Sequence, residues 1–573
     1  MNTETLRIAG PGSQRPWWRE AEFGLLIMLV VGAFLLRVGD VSMRGEEPRR
    51  ARVAFEILDR HDWIVPREQG EPFLSRPPMQ NWAIAISTLI CGSREPWAVR
   101  LPSVLAMLFI TILIYGYSRT CLSRLGALAA GAAFVTLGEM FTTGCQAETE
   151  AVFIALVSGS LLWWHWGQVA GWSALRKWIG SYVLVGLGVL VKGPQPPVYF
   201  VASVGAYIVL TGQWRLLFSW AHVAGAAVGA AIVLAWLIPC YRQEGGPTVF
   251  FILMGDTACR LIEWKIGEVS KHMAQFPFEI LGSTAPWSLL LLFYLNPNFR
   301  RKLGTARPQI VFLGVCLAVT FPTCWIPTTG QTRYFAPMYP CMAVLIGSVV
   351  QCCAQADALP AVRLGWRLFL TMIAILMIGA GAAAVGSALF LPNHPQLAPW
   401  AEPLLVALIY AIVVGVLAVL AWKGRPGGDT TRVYSAVLAL AWFMVITFTG
   451  LLTNVRIRKS EDQAGAIARL KEHVFAGRKV VSIGHIDALF AYYYGDLIEA
   501  RPIPKSASEL TDEDLLLCYD TCPGQRLQLP FAWTEVATVS MDRNHRVPPD
   551  REVVIVRRVQ PASAKLAMSG TAR

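Results

Sequence analysis

Long apolar runs separated by short basic turns set the pattern of this chain. Runs suited to crossing about 30 Å of hydrocarbon recur at residues 23–36, 101–117, 125–141, 151–166, 179–191, 198–210, 221–239, 280–295, 310–326, 337–350, 368–391, 404–422 and 433–452. They predict a mainly α, polytopic membrane protein with about thirteen transmembrane helices. Residues 83–91 are apolar but too short to cross, and are placed at the interface. Two polar stretches interrupt the series, a first loop over residues 37–81 and a second over residues 240–277.

Charge orients this pattern. A basic N-terminal segment (Arg7, Arg15, Arg19) puts the start of the chain in the cytoplasm. With no small-residue cleavage pattern after residue 36, the first run reads as an uncleaved anchor. Alternate turns then carry Arg119 and Arg124, Arg176 and Lys177, Arg215, Arg300 to Lys302, Arg363 and Arg367, and Lys423, Arg425 and Arg432. Each is an inner turn under the positive-inside rule, and an odd number of spans leaves everything after residue 453 extracytoplasmic. Composition agrees. Charged residues make up 15% of the chain, against about 25% in soluble domains, and mean hydropathy is +0.47. The net charge of +12 and the 21 tryptophans suit inner turns and aromatic belts, so membrane lipids are expected as partners and nucleic acid is not.

From about Arg458 the composition becomes that of a soluble domain. A helix is predicted over residues 460–474 and another near 487–494, with short strands at 479–483, 514–518, 535–539 and 552–556. The expected division is a membrane domain over 1–455, a small extracytoplasmic α/β domain over 456–560 and a disordered tail over 561–573. The VSIGH segment carries no glycine-rich phosphate loop, so no nucleotide is expected there. Most of the twelve cysteines lie in apolar runs, where they pack as small hydrophobes. The spacing of Cys518 and Cys522 permits a disulfide without demanding one.

The first loop is where polar chemistry concentrates. Seven arginines, at 44, 49, 50, 52, 60, 67 and 76, lie on the side where the positive-inside rule disfavours them. An anionic ligand explains such a cluster, and phosphate suits the guanidinium fork. Glu46 and Glu47 either stabilise a helix N-terminus or supply a base or positioning carboxylate. Glu148 and Glu150 open the span at 151 with the same two readings. Lys192, in Lys192-Gly193-Pro194, is a snorkelling end-cap or a phosphate contact. Arg76 before Pro77-Pro78 shares that ambiguity, and Arg333-Tyr334 adds another cation and a phenol at the outer surface. In the second loop Asp256, Arg260, Glu263, Lys265, Glu268 and His272 are candidate ligands, with His272 the one weak metal candidate. No cofactor is required by these residues; a divalent metal is the only one they suggest.

The order of motifs resembles a known family. An acidic pair followed by P-R-R-A (Glu46–Ala51), DWIVP (Asp62–Pro66), GEPFLSRPP (Gly70–Pro78), VKGP (Val191–Pro194) and TRYFAPMYP (Thr332–Pro340) is similar to the polyprenyl-phosphate-dependent glycosyltransferases. These include aminoarabinose transferases of the ArnT type and protein O-mannosyltransferases, with the GT-C membrane fold. The match covers roughly residues 20–345. The resemblance implies inverting transfer of a sugar from a polyprenyl-phosphate donor to a lipid, glycan or protein acceptor at the outer face, in a bacterial plasma membrane. Glu46 takes the position of the family's catalytic carboxylate, one methylene longer than the usual aspartate. Glu47 follows it, and Glu148 falls near the second-loop acid. Arg49, Arg76, Lys192, Arg333 and Tyr334 are the implied donor-phosphate contacts. The usual E-K-P-P is S-R-P-P here, so Ser75 replaces a carboxylate and Arg76 a lysine. That loss weakens any metal role for the first loop. A lipid or solute transporter is the alternative, but neither a clear internal repeat nor mid-span charges support it.

Overall fold

A computed structural model describes residues 16–262, 266–355, 358–394, 397–424, 429–475, 480–506, 509, 516–541 and 551–558. The chain divides into two compact units, one of residues 1–40, 74–80 and 100–457 and the other of residues 41–73, 81–99 and 458–573.

The first unit is a helical bundle, and the predicted spans are helical in it, although that at 125–141 is divided between Arg124–Val135 and Gly138–Thr143. Among the described residues eight helices are long and apolar enough to cross a membrane, or nine with one bent pair. The helices Ala21–Leu35, Arg124–Val135 and Gln195–Leu210 are apolar but shorter. At 1.5 Å per residue they reach about 22, 18 and 24 Å, short of a hydrocarbon core of about 30 Å. The predicted span at 280–295 is not straight. It is divided between Val269–Ser283 and Trp287–Leu295, which bend by 120°. The second polar loop is corrected more strongly. The helix Trp220–Ile262 runs through most of it, broken only at Gly245, where φ is 79° and ψ 175°. Gly245, Gly246 and Pro247 read as a loop in sequence, yet proline is tolerated in a helix's first turn, so the helix restarts at once.

Close packing depends on small residues where helices cross. A Cβ on Gly186 of Ala174–Lys192 would lie 2.8 Å from the carbonyl oxygen of Gly229 in Trp220–Ile262. Backbones approach this closely only where no side chain intervenes. His165, buried within Thr149–Val169, places Nδ1 2.8 Å from the Tyr117 hydroxyl and Nε2 3.3 Å from that of Tyr207. A polar group deep in the bundle is therefore satisfied.

The second unit joins the first loop to the C-terminal domain, although the sequence groups that loop with the bundle. Strands β1 (Arg67–Glu68) and β2 (Glu71–Pro72) form a small antiparallel hairpin in the loop. Strands β3 (Val481–Ile483), β4 (Glu499–Arg501), β5 (Leu516–Thr521), β6 (Trp533–Ser540) and β7 (Glu552–Arg558) form one sheet in the order β4-β3-β5-β7-β6. β3 is parallel to β4 and β5; the other pairs are antiparallel. β4 has no counterpart among the predicted strands. Its three residues, Glu-Ala-Arg, are too few to show an alternation. The helix Glu47–Arg60 turns its apolar face to this domain, with Phe55 stacked on Tyr492 at 5.9 Å. The predicted tail at 561–573 lies outside the described residues.

Cys518 and Cys522 are both free thiols, one buried and one exposed. Burial pushes the Cys518 thiol well up and removes it from reagents. Alkylation of the native protein followed by peptide mass spectrometry should mark Cys522 and spare Cys518. Equal labelling would contradict this burial.

Candidate active site

In the bundle the helix Ala174–Lys192 ends in a lysine that does not snorkel. Gly193 follows it with φ 73°, and a Cβ there would collide with the carbonyl oxygen of Leu253, so this turn requires glycine. The Lys192 side chain is 1% exposed, and its Nζ lies 3.0 Å from Glu150 Oε1. The same ammonium stands 5.0 Å above the rings of both Phe153 and Tyr334. A charge so far from water needs both an ion partner and hydrogen bonds, and Glu150, in the first turn of Thr149–Val169, supplies them. Burial disfavours the charged Glu150 carboxylate, and the positive charges of Lys192, Arg333 and Arg76 offset it. Arg333 Nη1 lies 3.8 Å from Glu148 Oε2, and its guanidinium 5.5 Å from the Tyr334 ring.

Beside this cluster is a cavity of about 360 Å³ that shares Tyr334 and is also lined by Gln195, Tyr199, Thr323 and Cys324. The Tyr199 hydroxyl accepts from Thr323 Oγ1 at 3.2 Å. The bundle therefore brings together Arg76, Glu148, Lys192, Arg333 and Tyr334 from four separate segments, and adds Glu150, Phe153 and Tyr199. Glu150 was visible in the sequence as one of two acids. Which of them turns inward at a helix N-terminus depends on helix rotation, which periodicity alone leaves open.

Glu46, Glu47 and Arg49 belong to the other unit. Gly45, with φ 56°, turns the chain into the helix Glu47–Arg60. The Glu46 side chain is 43% exposed. Glu47 is fully buried and accepts the Arg44 backbone N–H at 3.0 Å on Oε2, which pins the turn before the helix to its first residue. The two neighbours thus do different work. Arg49 donates through Nε to both oxygens of Glu68, at 2.8 and 3.0 Å, and its Nη1 lies 3.6 Å from Glu46 Oε2. Its guanidinium also sits 4.8 Å above the Phe73 ring.

Other arginines of the first loop are held by the loop's own acids, Arg60 by Glu56 at 3.2 Å and Arg67 by Asp62 at 3.4 Å. Arg52 donates to the Gly495 carbonyl at 3.2 Å. Internal pairing accounts for much of the arginine excess that the sequence assigned to an anionic ligand. The acids at 56, 62 and 68 were present in the same stretch, but only the fold decides which charges meet.

His272, the weak metal candidate, donates from Nε2 to the Cys324 carbonyl oxygen at 3.2 Å. The ring packs 5.2 Å from Phe276. Among the described residues no three His, Cys, Asp or Glu side chains cluster as a metal site. The side chains of Asp256, Arg260, Glu263 and Lys265 lie outside those described.

Residues 75–238 match the family model for dolichyl-phosphate-mannose-protein mannosyltransferases. An undecaprenyl phosphate-α-4-amino-4-deoxy-L-arabinose arabinosyl transferase from Edwardsiella ictaluri is 24% identical over 475 residues, covering 80% of this chain and 81% of the relative. The protein of that name from Pseudomonas paraeruginosa is 24% identical over 430 residues, 67% and 74% of the two chains. The crystal structure of ArnT from Cupriavidus metallidurans bound to undecaprenyl phosphate superposes with a TM-score of 0.68 at 17% identity, over 93% of this chain and 98% of that one. Its apo form gives 0.68 at 18% identity. The GT-C fold and the resemblance read from motif order are both borne out, and the chain is a multi-pass integral membrane protein.

Proposed function

We propose that this GT-C membrane protein is an inverting glycosyltransferase, moving a sugar from a polyprenyl-phosphate donor to a lipid, glycan or protein acceptor at the outer face of a bacterial plasma membrane. The observation that carries this reading is the buried Lys192–Glu150 pair with Arg333 and Arg76 acting on the same carboxylate. A lipid phosphate leaves as an anion, so its departure needs fixed positive charge rather than a general acid. Lys192, Arg76 and Arg333 supply that charge, and Tyr334 closes the cation cluster.

The acceptor oxygen attacks the anomeric carbon on the face opposite the phosphate. As that bond forms, the carbon–oxygen bond to phosphate breaks and its electron pair leaves with the phosphate. The acceptor proton passes to a carboxylate, for which half-exposed Glu46 is better suited than buried Glu47. An acceptor that is itself a phosphate has no proton to give up, and Glu46 would then orient it. In this reading the domain after Arg458 is extracytoplasmic.

The test uses the purified full chain in lipid nanodiscs, with undecaprenyl phosphate-linked aminoarabinose as the first donor, since the relatives' names specify it. Release of undecaprenyl phosphate should require acceptor, and Arg76→Ala should slow it by about 10²-fold. Equal rates for Arg76→Ala and the unaltered protein would overturn the assignment. Movement of the donor lipid across the bilayer without its consumption would instead indicate a carrier.

A further inference from the structure

Gln69 stands at the turn of the β1–β2 hairpin with φ +52°, a left-handed conformation that a residue other than glycine adopts only when its surroundings hold it there. Glu56 holds the backbone from below. Its two carboxylate oxygens accept the N–H groups of Gln69 at 2.6 Å and Gly70 at 3.1 Å. The side chain reaches into the C-terminal sheet. Nε2 donates to Ser482 Oγ at 3.1 Å and to the Ile498 carbonyl at 3.4 Å, while Oε1 accepts from the Ile486 N–H at 2.9 Å and from His485 Nδ1 at 3.0 Å. Both donors and both acceptor positions of the amide are used.

The place is informative. Ser482 is in β3, and His485 and Ile486 follow it directly, at the carboxyl end of a strand with parallel neighbours on either side. Open α/β sheets take their ligands at such a crevice. Here the chain's own glutamine fills it. The residue before Gln69 is Glu68, which grips Arg49 with both oxygens, and Arg49 in turn stands beside Glu46.

We propose that Gln69 is a positioning residue. By docking the hairpin on the C-terminal sheet it sets the Glu68–Arg49–Glu46 line, so the C-terminal domain orients the carboxylate that acts on the acceptor. This rests on the reading of Glu46 given above. Gln69→Met keeps the side-chain length and loses every hydrogen bond of the amide. It should lower kcat by about 10–100-fold, since misplacement near 1 Å costs that much. KM for the donor should change by less than about twofold, because donor binding is not what Gln69 serves.

The distinguishing measurement is a double-mutant cycle with Glu46→Gln. If Gln69 acts through Glu46, Gln69→Met should have no further effect on kcat in the Glu46→Gln background. Hydrogen exchange of residues 62–73 should also rise in Gln69→Met. Full kcat in Gln69→Met beside an impaired Glu46→Gln would overturn this inference alone, as would an equal kcat loss in both backgrounds. Full transfer by Glu46→Gln would instead overturn the parent reading. Should Gln69→Met fail to fold, Ser482→Ala and His485→Ala, each removing one partner, carry the same comparison.

Discussion

Lys192→Met is expected to abolish measurable transfer, with a loss of at least about 10²–10³-fold in kcat. The ammonium is the most deeply placed cation of the bundle cluster, held between Glu150 and two aromatic faces. Such a charge is already desolvated and fixed before the phosphate begins to leave, so no reorganisation is required at that moment. The substitution has a second consequence. Methionine leaves the Glu150 carboxylate buried beside no ammonium, and breaking a buried pair on one side costs about 3–5 kcal/mol. Glu150→Gln combined with Lys192→Met removes that penalty by neutralising both partners. The double variant should therefore melt closer to the unaltered protein than Lys192→Met does, while transfer stays lost. Recovery of transfer in the double variant would mean that Lys192 serves only to neutralise Glu150.

Glu46→Gln and Glu47→Ala should separate chemistry from stability within two adjacent residues. Glu46 is half-exposed, so glutamine keeps its shape at little cost to folding, whereas removing a proton acceptor is worth about 10²–10⁴-fold in rate. Glu47 is fully buried and accepts the Arg44 N–H, so Glu47→Ala, which takes that acceptor away, should lower stability by about 1–3 kcal/mol and leave kcat of the folded fraction nearly intact. Thermal melting and initial rates on the same preparations read both effects. The reverse pattern, a stable inactive Glu47→Ala beside an active Glu46→Gln, would move the catalytic assignment by one residue. Under pure motif matching the two acids differ only by alignment. Their burial is what makes the choice physical.

The contrast between these residues and the spans shows where sequence reading had its strength. A span is a local property, because transferring some twenty apolar residues from water to hydrocarbon is favourable whatever lies beside them. All thirteen runs are accordingly helical for most of their length, those at 125–141 and 280–295 each divided between two helices. The failures are also local in origin. The bend between Ser283 and Trp287 and the helix through residues 240–262 turn on single prolines and glycines, which punctuate a chain without saying whether it stops, bends or restarts.

By itself, the sequence determined that this chain is a membrane helix bundle with a small α/β domain, and motif order pointed to lipid-phosphate sugar transfer. It also marked the first loop, Lys192 and the acids near 148 as places of chemistry, since charge next to apolar runs is costly enough to need a reason. Only the tertiary structure decided the partners. It put Glu150 rather than Glu148 on Lys192, gave Arg49 to Glu68, buried Glu47 against the Arg44 N–H, and tied the first loop to the C-terminal sheet through Gln69. Those choices lie between residues as much as four hundred positions apart. Coulomb and hydrogen-bond energies fall off over a few ångströms, so only the folded distances between side chains could settle them.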